Sequence, residues 1–140
     1  MTVLGVGVDI VDIERFTRAL ERTPALRARL FGPVDTQPHD LAAQDLAAQD
    51  LAAQDLAGQS LAARFAAKEA TLKALGGNIS GFSWHDIQVS GERGQQPKLV
   101  LSGGVAKRAA LAGVTSTHLS MSHDGGMAIA FVVVDGEPRS

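Results

Sequence analysis

Two acidic side chains stand where the surrounding pattern asks for apolar ones, and carboxylates so placed can hold a divalent cation. In Phe65-Ala66-Ala67-Lys68-Glu69-Ala70-Thr71-Leu72-Lys73, a helical advance of about 100° per residue puts Leu61, Phe65 and Leu72 on one stripe with Glu69 inside it. An ionised carboxylate turned inward is costly, so Glu69 needs a metal ion, a cation or a retained proton. Spacing leaves two readings: a metal ligand, or the acid of an intrahelical pair with Lys73, four residues on. In Leu4-Gly5-Val6-Gly7-Val8-Asp9-Ile10, alternation sends Leu4, Val6, Val8 and Ile10 to one strand face and Gly5, Gly7 and Asp9 to the other. Asp9 then projects from a face stripped of side chains, where a ligand or another backbone can come close. It is either a cation ligand at the strand end or the cap of the next helix. Gly5-x-Gly7 is not a dinucleotide fingerprint, because it lacks the third glycine and lies within the strand rather than in the turn after it.

The elements that position these acids can be read in order. A strand over about Val3 to Val8 leads into a helix over about Asp12 to Arg22, with Ile13, Phe16 and Leu20 inward and Arg15, Arg18 and Arg22 outward. A short helical stretch follows at Leu26 to Phe31. Leu41 to Asp55 repeats Leu-Ala-Ala-Gln-Asp three times. A pentapeptide solenoid needs more coils than this to bury its leucine column, whereas Ala, Leu and Gln favour a helix running into the Glu69 segment. Each five-residue step turns by about 140° and spreads the leucines around that helix. Strands are expected at Ile87 to Ser90 and Lys98 to Leu101 around the turn Gly91 to Gly94. A helix over Gly103 to Leu111 ends at Gly113. A final hairpin pairs Thr117 to Ser122 with Met127 to Val134 around Asp124-Gly125-Gly126. The class is α+β, a small antiparallel sheet packed with helices, in a single domain over residues 1–140 with a low-complexity insert at about 41–60.

Composition narrows the functions available. The chain has 140 residues, no cysteine and a formal net charge of -2, which excludes disulfides and thiolate metal sites. No stretch approaches the roughly 20 apolar residues of a membrane span, and the expected location is cytoplasmic. Asp35, Asp40, Asp45, Asp50 and Asp55 give residues 33–60 a balance of -5, leaving +3 elsewhere (-2 minus -5). That excess suits a phosphorylated ligand or an acidic partner but not nucleic acid, which needs a strong basic stripe. Five Phe, one Trp and no Tyr make no stacking platform for single strands. Ser122-His123-Asp124 is no hydrolase triad, since neighbours on a strand face opposite ways and no nucleophile elbow is present. His39, His85 and His118 lack zinc-ligand spacing.

Gly5 to Phe16, Leu61 to Gly76 and Leu119-Ser120-Met121-Ser122-His123-Asp124 together resemble the bacterial holo-acyl-carrier-protein synthases, the small 4'-phosphopantetheinyl transferases. The resemblance covers Met1 to about Phe31 and Leu61 to the last strand. It implies the 4'-phosphopantetheinyl transferase fold, a homotrimer with active sites between subunits, and transfer of 4'-phosphopantetheine from coenzyme A to a serine of an apo acyl carrier protein. On it, Asp9 and Glu69 hold Mg²⁺, and Asp9, Glu69 and Lys73 are catalytic. Arg64, Lys68, Lys73, Gly76 and His123 meet coenzyme A, and Arg15, supported by Arg18 and Arg22, docks the carrier protein. Between Phe31 and Leu61 the chain departs from the family, whose segment there is helical and often charged with an acidic loop motif. Two other classes are weighed beside this one: a protein-interaction module built on the repeat, and a coenzyme A or nucleotide-binding regulator without turnover.

Overall fold

The computed structural model describes residues 1–36, 51–91 and 95–139. In chain order the elements are β1 (Thr2–Asp12), α1 (Ile13–Arg22), α2 (Ala25–Leu30), α3 (Leu51–Ala74), a 3₁₀ turn (Trp84–Asp86), β2 (Ile87–Ser90), β3 (Lys98–Leu101), α4 (Gly103–Ala112), β4 (Val114–Asp124) and β5 (Met127–Gly136). β1, β5 and β4 form an antiparallel sheet in that order, and β2 and β3 form a separate antiparallel pair. This is the expected α+β class. Residues 41–50 of the repeat and 92–94 of the β2–β3 turn lie outside the described residues. From Leu51 the repeat is helical and continues without a break into the Glu69 segment.

β1 is longer than expected. It runs through Asp9 to Asp12, because β5 pairs with it rung by rung from Asp9↔Ala130 to Asp12↔Met127. The cap of α1 is therefore Asp12, whose Oδ1 accepts the Arg15 amide at 2.9 Å, and Asp9 is released from that role. The β4–β5 hairpin turns through Gly125 (φ 56°) and Gly126 (φ 80°), the left-handed pair that suits a two-residue hairpin loop. α4 stops at Gly113, whose φ of 87° closes the helix in the left-handed region.

The core lies on both sides of α3. One cluster joins Ala66, Ala67, Ala70, Ala74 and Leu75 to Ile87, Val89, Val105, Leu119, Ala130, Val132 and Val134. A second joins Leu61, Ala62 and Ala63 to Phe16, Leu30, Phe31 and Ala128. Phe16 stacks on Phe65 at 5.1 Å, Phe65 meets Trp84 at 5.4 Å, and Trp84 meets Phe82 edge-on at 4.9 Å. Alternation divides β1 into an apolar and a glycine face without saying which is closed, and the structure closes the glycine face. A bulge between Val3 and Gly5 turns Leu4 into the core, while Val6, Val8 and Ile10 stay 50%, 47% and 59% exposed. The glycine face is the one that packs, because only there can a helix lie directly on the strand. Among the described residues, no helix is long and apolar enough to cross a membrane.

Candidate active site

Gly5 and Gly7 set the geometry of the site. A Cβ on Gly5 would collide with the Ala74 carbonyl oxygen, and one on Gly7 with that of Ala70. The strand and helix therefore run antiparallel at backbone contact. Two strand residues advance about 6.7 Å and four helical residues about 6 Å, so the next rung sets Asp9 beside Ala66. Helical side chains lean toward the N-terminus, which carries Glu69 and Lys73 back toward that rung. Lys73 Nζ donates to Asp9 Oδ1 and to the Val8 carbonyl, each at 3.0 Å. Asp9 is largely covered, at 13% exposure of its side chain, and Lys73 remains half open at 56%.

Glu69 is not buried in the core. It lies half-buried on a rim with Phe65, Leu72 and the more open Lys73, because the alanines of α3, rather than its Leu and Phe, face the sheet. Desolvation first and the Asp9 charge second raise its carboxyl above the usual range, against the pull of Lys73. Of the two readings weighed from spacing, the intrahelical pair is not made: Lys73 reaches Glu69 as a neighbouring charge and pairs with Asp9, which leaves Glu69 short of charge.

The buried charge of the segment is Lys68. It is fully covered, and its Nζ donates to Asp35 Oδ2 at 2.7 Å, to the Trp84 carbonyl at 3.2 Å and to the Ile87 carbonyl. Burial lowers its pKa, and the Asp35 hydrogen bond and charge partly restore it. All three ammonium donors are engaged, so Lys68 does not present the free point charge expected for coenzyme A phosphates. Asp35, counted from the sequence only in the acidic balance of residues 33–60, is 1% exposed and also accepts the amides of Gly32 (2.9 Å) and Val89 (2.8 Å). Sequence reasoning missed it because its partner stands 33 residues away.

The remaining candidates are dispersed around this centre. Arg64, 7% exposed, donates to the Ser60 hydroxyl. Gly76 (φ 90°) ends α3, and its amide reaches the Lys73 carbonyl at 3.1 Å. The Arg108 guanidinium lies against it, within 3.4 Å of where a Cβ would stand, a basic group that no motif announced. His123 is exposed at the end of β4. The register His123↔Ala128↔Val11 puts it on the same sheet face as Asp9 but two strands away. Arg15, Arg18 and Arg22 line a shallow groove of about 570 Å³ on α1 together with Asp12, Glu14 and Glu21, and Arg18 pairs with Glu14. That surface carries both signs of charge.

Among the described residues, no group of three or more His, Asp or Glu is arranged to enclose a metal. Two carboxylates with hard oxygens, one short of compensating charge, fit an ion that takes one or two protein ligands and completes its shell from substrate phosphate and water, as Mg²⁺ does.

A strand acid, a helix acid and a helix lysine meeting at a glycine seam define a class. The 4'-phosphopantetheinyl transferase superfamily model matches residues 5–132, and the chain belongs to that superfamily. Within it, the chain is 48% identical over 133 residues to the holo-acyl-carrier-protein synthase of Clavibacter sepedonicus, covering 95% of this chain and 96% of that protein. Two crystal structures agree. The Neisseria meningitidis holo-acyl-carrier-protein synthase is 29% identical with a TM-score of 0.73, over 96% of this chain and 99% of that one. The Helicobacter pylori enzyme in complex with coenzyme A is 30% identical with a TM-score of 0.67, over 93% and 99%.

Proposed function

We propose that this chain moves 4'-phosphopantetheine from coenzyme A to a serine hydroxyl of an apo acyl carrier protein. The serine oxygen forms a bond to the phosphorus that bears pantetheine, the bond from that phosphorus to the bridging oxygen breaks, and adenosine 3',5'-bisphosphate leaves with the electron pair. The observation that carries this reading is the convergence of Asp9, Glu69 and Lys73 on one rung of the β1–α3 seam, in a chain that follows holo-acyl-carrier-protein synthases along 95% of its length.

Asp9 and Glu69 would hold Mg²⁺, which when bound neutralises charge on the diphosphate and polarises the phosphorus. Lys73, half open and one turn from Glu69, stands ready to pair with phosphate oxygens once a cation relieves Asp9. Glu69 is the candidate, by its place in the site, to take the proton of the serine Oγ. Arg64, Gly76 and His123 remain the coenzyme A candidates, with Arg108 added beside Gly76. Lys68 is withdrawn from direct phosphate contact by its buried partners. Arg15, with Arg18 and Arg22, is the proposed dock for the acidic carrier. The open apolar face of the sheet supports a homotrimer.

Intact mass spectrometry of apo acyl carrier protein, incubated with the protein, coenzyme A and Mg²⁺, tests the reading. A phosphopantetheine mass gain that disappears with Asp9→Asn and with Glu69→Gln is the expected result. No gain on several carriers from folded protein overturns it.

A further inference from the structure

α3 meets the sheet through small residues. Gly5 and Gly7 of β1 face Ala70 and Ala74, and Ala62, Ala66 and Ala67 are fully or almost fully covered. Such a seam fixes close approach but has no large side chain locked into a hole to fix the rotation of the helix about its axis. With side chains the helix has a radius of about 5–6 Å, so a turn of about 20° moves a carboxylate by roughly 2 Å. A catalytic or metal-binding pair must be held within roughly 0.5 Å. Contacts on other sides of α3 have to supply that hold; Phe65, stacked on Phe16 and set against Trp84, is one of them, and a fixed polar anchor is another.

Lys68 is that anchor, one residue before Glu69. Its ammonium is gripped by three separate segments: Asp35 beyond α2, the Trp84 carbonyl in the 3₁₀ turn and the Ile87 carbonyl in β2. Asp35 is itself fixed by the Gly32 and Val89 amides. Removing a buried ion pair in favour of apolar groups commonly costs little stability, so stability alone is a weak reason for this arrangement. We propose that Asp35 is a positioning residue for the Asp9–Glu69 site, holding α3 through Lys68 at the rotation that turns Glu69 toward Asp9. The inference rests on the transferase reading above and deepens it.

The test compares the wild type with two variants, Asp35→Glu, which keeps the charge but crowds the buried site, and the uncharged pair Asp35→Asn with Lys68→Met. Each is first shown to be folded by its thermal melt, and one folded variant is enough to decide. Free Mn²⁺ is then counted by electron paramagnetic resonance as Mn²⁺ is titrated into protein with coenzyme A, and kcat and KM for the carrier are measured separately. Loss of a partner that orients a metal ligand commonly costs about 10- to 100-fold. The half-saturating Mn²⁺ concentration should rise by about that factor and kcat should fall, with KM for the carrier unchanged. A folded variant whose Mn²⁺ titration matches the wild type overturns the proposal, whatever happens to kcat. Failure of the transferase reading looks different: the wild type gives no mass gain on the carrier, while the Mn²⁺ comparison still reports the coupling.

Discussion

At Glu69 crowding by burial and by the Asp9 charge destabilises the metal-free fold. Its pKa is raised in the folded protein, so its contribution to stability is fully present below the unfolded value of about 4.3 and is lost as pH rises through the folded value. Thermal melts of the wild type without metal should therefore fall with pH across that window relative to melts of Glu69→Gln, and added Mg²⁺ should close the gap. Transfer by Glu69→Gln should drop by roughly 10²-fold or more, read from the rate of carrier mass gain. A variant more stable than the metal-free wild type at neutral pH but nearly inactive is the expected signature, whereas identical pH curves would show that Glu69 feels no such crowding. Asp9 and Glu69 were legible in the sequence because each breaks a local pattern. The burial of Lys68 was not legible, because a lysine beside Glu69 in an alanine-rich helix gives no local sign of a distant partner. Its partner Asp35 stands with four other aspartates at five-residue spacing, and nothing local marks it as buried.

The seam between β1 and α3 decides whether the two acids meet. Gly7→Ala would place a methyl group on the Ala70 carbonyl, and backbone cannot step aside as a flexible side chain can. The helix must lift, at a cost of roughly 1–3 kcal/mol as for other overpacked cores, and Asp9 is drawn away from Glu69 and Lys73. Denaturant unfolding should show that loss, and the Mg²⁺ concentration needed for half-maximal transfer should rise. Unchanged values on both counts would show that the seam can widen freely. The positions of most elements were readable from turn residues and periodicity, β2 and β3 to the residue. The inward face of α3 was not, because the Leu and Phe stripe outweighs the alanines in any hydrophobic reading. What places the alanines against the sheet is the pair of glycines some sixty residues earlier, a match of shape that no helical period contains.

One side of the three-stranded sheet is covered by α3 and the other presents Val6, Val8, Ile10, Ile129 and Phe131, between 39% and 59% exposed. The register brings them together, with Val8 opposite Phe131 and Ile10 opposite Ile129. Phe16, Phe31, Phe65, Phe82 and Trp84 form one linked aromatic chain around α3, which leaves Phe131 as the aromatic side chain outside it. A contiguous apolar patch on a sheet face marks a surface that another chain covers, and the expected cover is further copies of the same chain. Strict alternation along β1 reads identically whichever face is closed, so the sequence could not tell the core side from the open one. Light scattering on the wild type should give a trimer's mass. Phe131→Asp sets a charge at the centre of the patch while touching none of α3, Asp9 or Glu69, so it should yield a folded monomer with a melt that no longer depends on protein concentration. If the wild type is monomeric at assay concentrations, or Phe131→Asp leaves its mass unchanged, the open face is not the assembly surface. If the variant is a monomer that still transfers at the wild-type rate, each chain carries a complete site of its own.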